Sequence, residues 1–211
     1  MSDIQDYSNR FQDHWMCFAT VLDLPQDISQ NIYRILSTAY NESQRAYHTC
    51  QHIVECLNLL HDIREHLHDP IAVEMAIWFH DVVYDPKSSE NELRSAELMK
   101  DICSNILNEV RLNKVYAWIV ATQHHQPTDD ADLQYLLDID LAILASEKQR
   151  FEQYEQQIRF EYAWVESTLY QTKRQAVLQH FAQMQPLYQT SYFQQYFEEQ
   201  AKLNLQAAID C

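Results

Sequence analysis

The chain has no glycine in its 211 residues, against an ordinary usage of about 7%. The absence excludes Gly-rich phosphate loops and dinucleotide-binding turns, and it argues against tight hairpins, because these need backbone conformations that glycine supplies. Helices can end on Asn or on water, so a helical protein tolerates the lack. The five prolines are scattered, and no Pro-rich or Ser-rich run marks a linker. One domain over 1–211 is expected, with a core at about 27–145 and C-terminal helices at about 146–209. Basic residues are also few: 15 Lys and Arg stand against 31 Asp and Glu, a net charge of −16. That balance disfavours a nucleic-acid polymer or an anionic membrane as partner, since both need clustered cations. A small anionic molecule stays open, because a bound cation inverts the local field. The cysteines are Cys17, Cys50, Cys56, Cys103 and Cys211. Their odd number and the lack of a Cys-x-x-Cys pair point to reduced, buried thiols. No apolar run approaches the roughly 18 residues of a membrane span. The opening Met1-Ser-Asp-Ile-Gln-Asp has no apolar signal core. A cytoplasmic protein is expected.

What is present is helical periodicity. Asp27-Ile-Ser-Gln30 reads as a capping box opening a helix with Ile28, Ile32, Ile35, Leu36 and Ala39 on one face. A helix from about Thr49 to His66 follows. Asp69-Pro70 is an N-cap with proline at the first helical position, and Val73, Ala76, Ile77 and His80 follow it. Ser89 to Glu92 caps a helix to about Ile106. Others are expected over Leu112 to about Gln123, from beyond Pro127 to near Ala145, and from Ser146 through Val165. Thr172 caps a further one to Met184, and the last covers about Tyr192 to Ala208. No segment alternates as a strand does. The fold class is all-α.

His80 and Asp81 interrupt the apolar stretch Met75 to Asp85. Burying an imidazole and a carboxylate without partners costs several kcal/mol, on the order of 2–7 for a polar group. A divalent metal ion is the natural compensation. Upstream, His48 and His52 lie four residues apart and can share a helix face. Downstream, Asp138 and Asp140 diverge by about 200° on a helix, so only one of them serves a given ion. The stretch is helix-periodic through Asp85, which lies one helical turn beyond Asp81 and so points toward the same side; Asp85-Pro86 also reads as a helix stop. Adjacent His124 and His125 fall near a helix end, where protonated histidines meet the negative dipole. Glu92 reads as part of a cap. Arg45, Arg159 and Arg174 stand out among few basic residues, since Arg offers phosphate a fork of donors.

The order His52…His80-Asp81…Asp140 resembles the HD superfamily of metal-dependent phosphohydrolases. The likeness extends through Arg45-Ala-Tyr-His-Thr-Cys-Gln-His52, Trp78 to Asp85, Asn91-Glu92 before Ser95-Ala96, Asp138 to Leu144, Ile158 to Tyr162 and Ala201 to Leu205. It is closest to a bacterial subfamily without a defined substrate. Thr49 stands where that subfamily has Asn, and Tyr84 where some nucleotide pyrophosphohydrolases have an acid. The resemblance implies a helical bundle with the metal held between core helices by His52, His80, Asp81 and Asp140. It implies one divalent ion, Mn, Fe, Co, Ni, Zn or Mg, that acidifies a coordinated water; the resulting hydroxide attacks phosphorus in a small phosphorylated metabolite or nucleotide. Asp81 and Asp85 are then the catalytic acids, with Asp85 orienting the water. Arg45, His48 and His125 are the candidate phosphate contacts. The alternatives are a sensor or interaction module with little turnover, using the Tyr-rich segment Tyr188 to Phe197 as a partner surface, and a di-iron oxygenase drawing on His124 and His125. Self-association into a homo-oligomer stays open.

Overall fold

In the computed structural model, which describes residues 2–210 and the side chains from Asp6 onward, the chain is all-α, with no strand among the described residues. It divides into two compact units, 1–126 and 127–211, whereas the sequence shows no linker and reads as one domain.

The first unit holds α1 (Ser2–Val21), α2 (Gln26–Ala39), α3 (Cys50–Ile63), α4 (Pro70–Phe79), α5 (Asn91–Cys103) and α6 (Glu109–Ala121). The helix α1 has no counterpart in the expected elements. It buries Phe11, Trp15 and Phe18, a spacing of four and three that puts them on one face. Phe11 and Trp15 meet Trp78 edge-on, with ring centroids at 4.9 and 5.3 Å. The Trp15 indole N–H donates to the Ser29 carbonyl (3.1 Å), joining α1 to α2. Between them the turn is made by Asp23 with φ 52°, the left-handed conformation usually left to glycine and tolerated by Asp. In α2 the buried face is Ser29, Ile32 and Leu36, and Ile28 is exposed.

The centre of this unit is α4. Every residue from Ala72 to Phe79 is buried, as expected of a helix apolar all round. The Asp69 carboxylate accepts from the Ala72 N–H (3.2 Å) and Pro70 opens the helix, both as read from the sequence. Glu74 is the buried acid on α4; it accepts from Arg64 at 2.9 Å. Burial pushes its carboxyl up, and Arg64 opposes the shift. Around α4 pack α3, α5 and α6.

The second unit holds α7 (Ala131–Asp140), a 3₁₀ stretch Leu141–Ala145, α8 (Lys148–Glu161), α9 (Ser167–Gln183), α10 (Ser191–Tyr196) and α11 (Glu198–Ile209). The cap of α9 is Glu166, which accepts from the Leu169 N–H; Thr172 lies inside that helix. The single last helix expected from the sequence is two, α10 and α11, separated at Phe197. The buried Asp138 carboxylate accepts from the Gln189 and Thr190 N–H groups (2.8 Å each) and from the Thr190 hydroxyl (2.7 Å), anchoring the entry to α10. Asn204 on α11 donates to the Leu144 and Ser146 carbonyls. Arg174 pairs with Glu155 through two nitrogens, so it serves the fold. Arg159 likewise donates to the Tyr162 and Val165 carbonyls.

Cys50, Cys56 and Cys103 are buried free thiols, as expected, but Cys17 is exposed. Cys211 lies outside the described residues. No helix among the described residues is long and apolar enough to cross a membrane.

Candidate metal centre

Three of the four expected ligands, His52, His80 and Asp81, come from two segments of the first unit. His52 is in the first turn of α3, and His80 is the residue that ends α4, followed directly by Asp81. Both histidines are buried, at 2% and 3% exposure, while the Asp81 side chain is 14% exposed. The two Nε2 atoms are 3.1 Å apart. The Asp81 Oδ2 lies 3.1 Å from the His80 Nε2 and 3.6 Å from the His52 Nε2. Their potential ligand atoms all fall within 4.8 Å of one another.

The protonation pattern makes this cluster unusual. The His80 Nδ1 sits 2.9 Å from the Ile77 carbonyl. A carbonyl only accepts, so Nδ1 carries the proton and Nε2 presents a lone pair in neutral imidazole. That lone pair faces a carboxylate oxygen at 3.1 Å. A cation among these atoms would relieve the close approach of the two acceptors, with the His52 Nε2 also at 3.1 Å from the His80 Nε2. The spacing suits a cation. An ion bonded to two donors at about 2.1 Å holds them about 3.0–3.4 Å apart at octahedral to tetrahedral angles. The mixed imidazole and carboxylate donors suit a divalent transition metal or Mg. Beside His52, the Cys56 sulfur is 3.7 Å from Nδ1.

Asp81 is not on a helix. The helix α4 ends at Phe79, and His80 to Val83 form a turn. The sequence reading of one continuous helix through Asp85 is therefore corrected. The turn is fixed from outside. Val83 N–H donates to the Ser95 hydroxyl (3.0 Å), and Asp85 N–H donates to the Asn91 side chain (3.0 Å), which donates back to the Asp85 carbonyl (2.9 Å). Asn91 and Ser95 are four apart on α5 and face this segment together. The exposed Asp85 carboxylate accepts from the Lys87 N–H (2.9 Å), a local turn bond that matches the helix-stop reading. The expected cap at Ser89 to Glu92 also moves: Ser88 accepts from the Glu90 N–H, and α5 opens without a side-chain cap.

Arg45 is put to a use other than facing phosphate. Its side chain is fully buried. The Nε–H donates to Glu42 (3.0 Å), Nη1 to the Asp81 (2.6 Å) and His48 (3.2 Å) carbonyls, and Nη2 to the Val82 carbonyl (3.0 Å). The half-buried His48 ring stacks on Tyr84 at 4.2 Å, and its centroid is 6.1 Å from that of His52. Thr49 occupies the N-cap position of α3 without capping; its hydroxyl donates to Tyr47. Tyr40, unremarked in the sequence, donates its hydroxyl to the Trp78 carbonyl in the last turn of α4 (3.0 Å). Burial first, and the Asp81 charge second, hold its phenol well above the ordinary range. His125 follows α6 with φ 48°, a left-handed position sparsely used by residues with a Cβ; His124 beside it is exposed. Asp140 ends α7 and belongs to the second unit, as does the buried Asp138, whose carboxylate is committed to α10.

Family models, curated proteins and solved structures gave no match to this chain.

Proposed function

We propose that this protein is a metal-dependent phosphohydrolase of the HD type, acting on a small phosphorylated metabolite or nucleotide. The observation that carries the reading is the trio of His52 Nε2, His80 Nε2 and Asp81 Oδ2, two buried imidazoles and a partly exposed carboxylate converged at 3.1–3.6 Å. The ion, when bound, supplies an acidified water and positive charge against phosphoryl oxygens. The chain's own residues supply the rest. The Ile77 carbonyl fixes His80 in the tautomer that offers Nε2. Asp81 brings one negative charge, so the centre stays cationic enough to attract a phosphate. His48 and His125 are the groups proposed to meet the phosphate or protonate the leaving oxygen. The net charge of −16 favours a small substrate over a polyanion, whose many phosphates the acidic surface repels.

The test is a panel of phosphomonoesters, phosphodiesters and nucleoside triphosphates, offered to the protein loaded with Mn, Co, Ni, Zn or Mg. Phosphate and pyrophosphate release are both monitored. Turnover that disappears on chelation and in Asp81→Asn supports the proposal. A metal-loaded wild type that hydrolyses none of the panel refutes it and favours a binding or sensing module.

A further inference from the structure

We infer that Arg45 is the positioning residue of the metal centre, setting Asp81 against His52 by holding both ligand-bearing segments from one guanidinium; the inference rests on the metal reading above. The geometry is specific. One nitrogen, Nη1, donates both to the carbonyl of Asp81 itself (2.6 Å) and to that of His48 (3.2 Å), in the segment that leads into α3 and His52. The second, Nη2, takes the Val82 carbonyl (3.0 Å), and Nε is tied to Glu42 (3.0 Å). Four of the five N–H groups are thereby engaged, in the plane of a rigid fork. Tyr40 and Tyr84 flank the guanidinium, each centroid 5.3 Å from its central carbon.

The need for such a residue follows from how α4 ends. The carbonyls of Asp81 and Val82 lie just past the helix, where no further turn supplies N–H partners. Val82 is buried, so water does not replace the partner of its carbonyl. A cation at the negative end of a helix is electrostatically favoured as well. Glycine would be an ordinary way to turn a chain sharply at this point; this protein has none. A buried arginine instead collects the carbonyls of the turn and fixes its distance from the start of α3. Asp81 Oδ2 then stands 3.1 and 3.6 Å from the two imidazoles on a backbone that Arg45 holds. Lysine keeps the charge but has no planar fork, so it does not hold three carbonyls in this arrangement.

The experiment compares wild type with Arg45→Lys, Arg45→Ala and Glu42→Ala, all stripped with chelator. Two readouts are taken: Mn and Zn affinity by calorimetry, and amide hydrogen exchange without metal. Arg45→Lys should keep the wild-type helical signal and weaken metal binding about 10–100-fold, the usual effect of losing a partner that orients ligands. Exchange at His80 to Tyr84 should rise by about tenfold while α9 is unchanged. In Arg45→Ala, added guanidinium at millimolar concentration should restore part of the affinity, and potassium chloride at equal ionic strength should not. A merely structural arginine gives neither a selective affinity loss nor that rescue. Glu42 is exposed at its surface, with 42% of its side chain accessible, so its removal leaves no cavity; Glu42→Ala should weaken binding about 2–5-fold through the freed Nε–H, a loss of one modest hydrogen bond. It therefore carries the test even if both Arg45 variants fail to fold. Wild-type affinity in folded Arg45→Lys, or in Glu42→Ala where the others do not fold, overturns the inference, as does unchanged exchange at His80 to Tyr84. A wild type that binds no divalent ion defeats the metal reading instead, and the exchange data still judge whether Arg45 holds the turn.

Discussion

Metal binding should be readable as heat stability, and the geometry says which side chains carry it. The cluster brings the His80 lone pair and the Asp81 oxygen to 3.1 Å, with the His52 nitrogen also at 3.1 Å from His80. An ion relieves that arrangement in the folded state and finds no preformed cluster in the unfolded chain, so it stabilises by mass action. At a free concentration of about 100 times Kd the gain is about 2.7 kcal/mol. For a chain of this size each kcal/mol raises Tm by about 2–4 °C, giving a rise of about 5–11 °C. Asp81→Asn retains the volume at a site only partly exposed, so its metal-free Tm should stay near that of wild type, while the metal-induced rise falls below about 2 °C. His80→Ala should also lose the rise, but from a lower start. It removes the donor to the Ile77 carbonyl, and an orphaned buried carbonyl costs about 1–3 kcal/mol. The assay is thermal unfolding of chelator-stripped protein, titrated with Mn, Co, Ni, Zn and Mg in separate series. A wild type whose Tm does not move up to millimolar metal refutes the reasoning. So does a rise of wild-type size in both variants, since the ion would then be bound elsewhere.

Three further outcomes are expected. Asp85→Asn should leave metal affinity unchanged and turnover within about threefold of wild type, because Asp85 serves the Lys87 turn; a loss of about 10²–10⁴-fold in folded, metal-loaded protein would restore it as the group that handles the water. Burial pushes the Asp138 carboxyl up to about 6 from an ordinary 3.8, against the hydrogen bonds from Gln189 and Thr190. A raised folded pKa means its contribution to stability is fully present below about 3.8 and is lost as pH rises through about 6, by on the order of 3 kcal/mol; the urea midpoint of wild type relative to Asp138→Asn should fall over that window, and parallel pH profiles would count against it. At the α1–α2 turn, Asp23→Val should cost about 1–2 kcal/mol because a β-branched residue resists φ 52°, whereas Asp23→Gly should change stability by less than about 0.5 kcal/mol, the gain in turn geometry offsetting a looser unfolded chain; equal denaturant midpoints for both variants would show that the turn conformation is not what selects Asp.

The parts of the fold legible in the sequence are those whose cause is local. Asp69-Pro70 reads as a helix start because the carboxylate and the missing N–H act within one turn, and the structure keeps that cap. The spacing that gives α2 holds for Ile32 and Leu36. The missed helix α1 also had a local signal: Phe11, Trp15 and Phe18 lie on one face and are buried. Caps failed where several polar residues competed. Thr172 looks like a start, yet Glu166 supplies the cap six residues earlier and Thr172 turns its hydroxyl back to the Thr168 carbonyl. The break between α10 and α11 has no Pro to mark it. It accompanies an anchor from Asp138, more than fifty residues away in the chain.

The cluster of His52, His80 and Asp81 shows the same division more sharply. Residue type and order were enough to single out His80 and Asp81, because an imidazole and a carboxylate in apolar surroundings demand a charge beside them, and the resemblance chose His52 over His48. Their backbone setting was not readable. The apolar run continues past Asp81 through Val82 and Val83, so helical periodicity extends the helix where the chain in fact turns. What holds the turn is remote: Arg45 takes the Asp81 and Val82 carbonyls from 36 and 37 residues upstream, and Ser95 and Asn91 take the backbone of Val83 and Asp85 from 12 and 6 residues downstream. Each of these four contacts satisfies a main-chain group that a longer α4 would have satisfied by itself. The candidate ligands can therefore be read from residue type and resemblance, but the angle at which Asp81 meets the two imidazoles depends on side chains whose own sequence context gives other readings: Arg45 as a phosphate binder, Asn91 and Ser95 as ordinary positions on the next helix. In this chain the chemistry is written locally and its geometry is imposed from a distance.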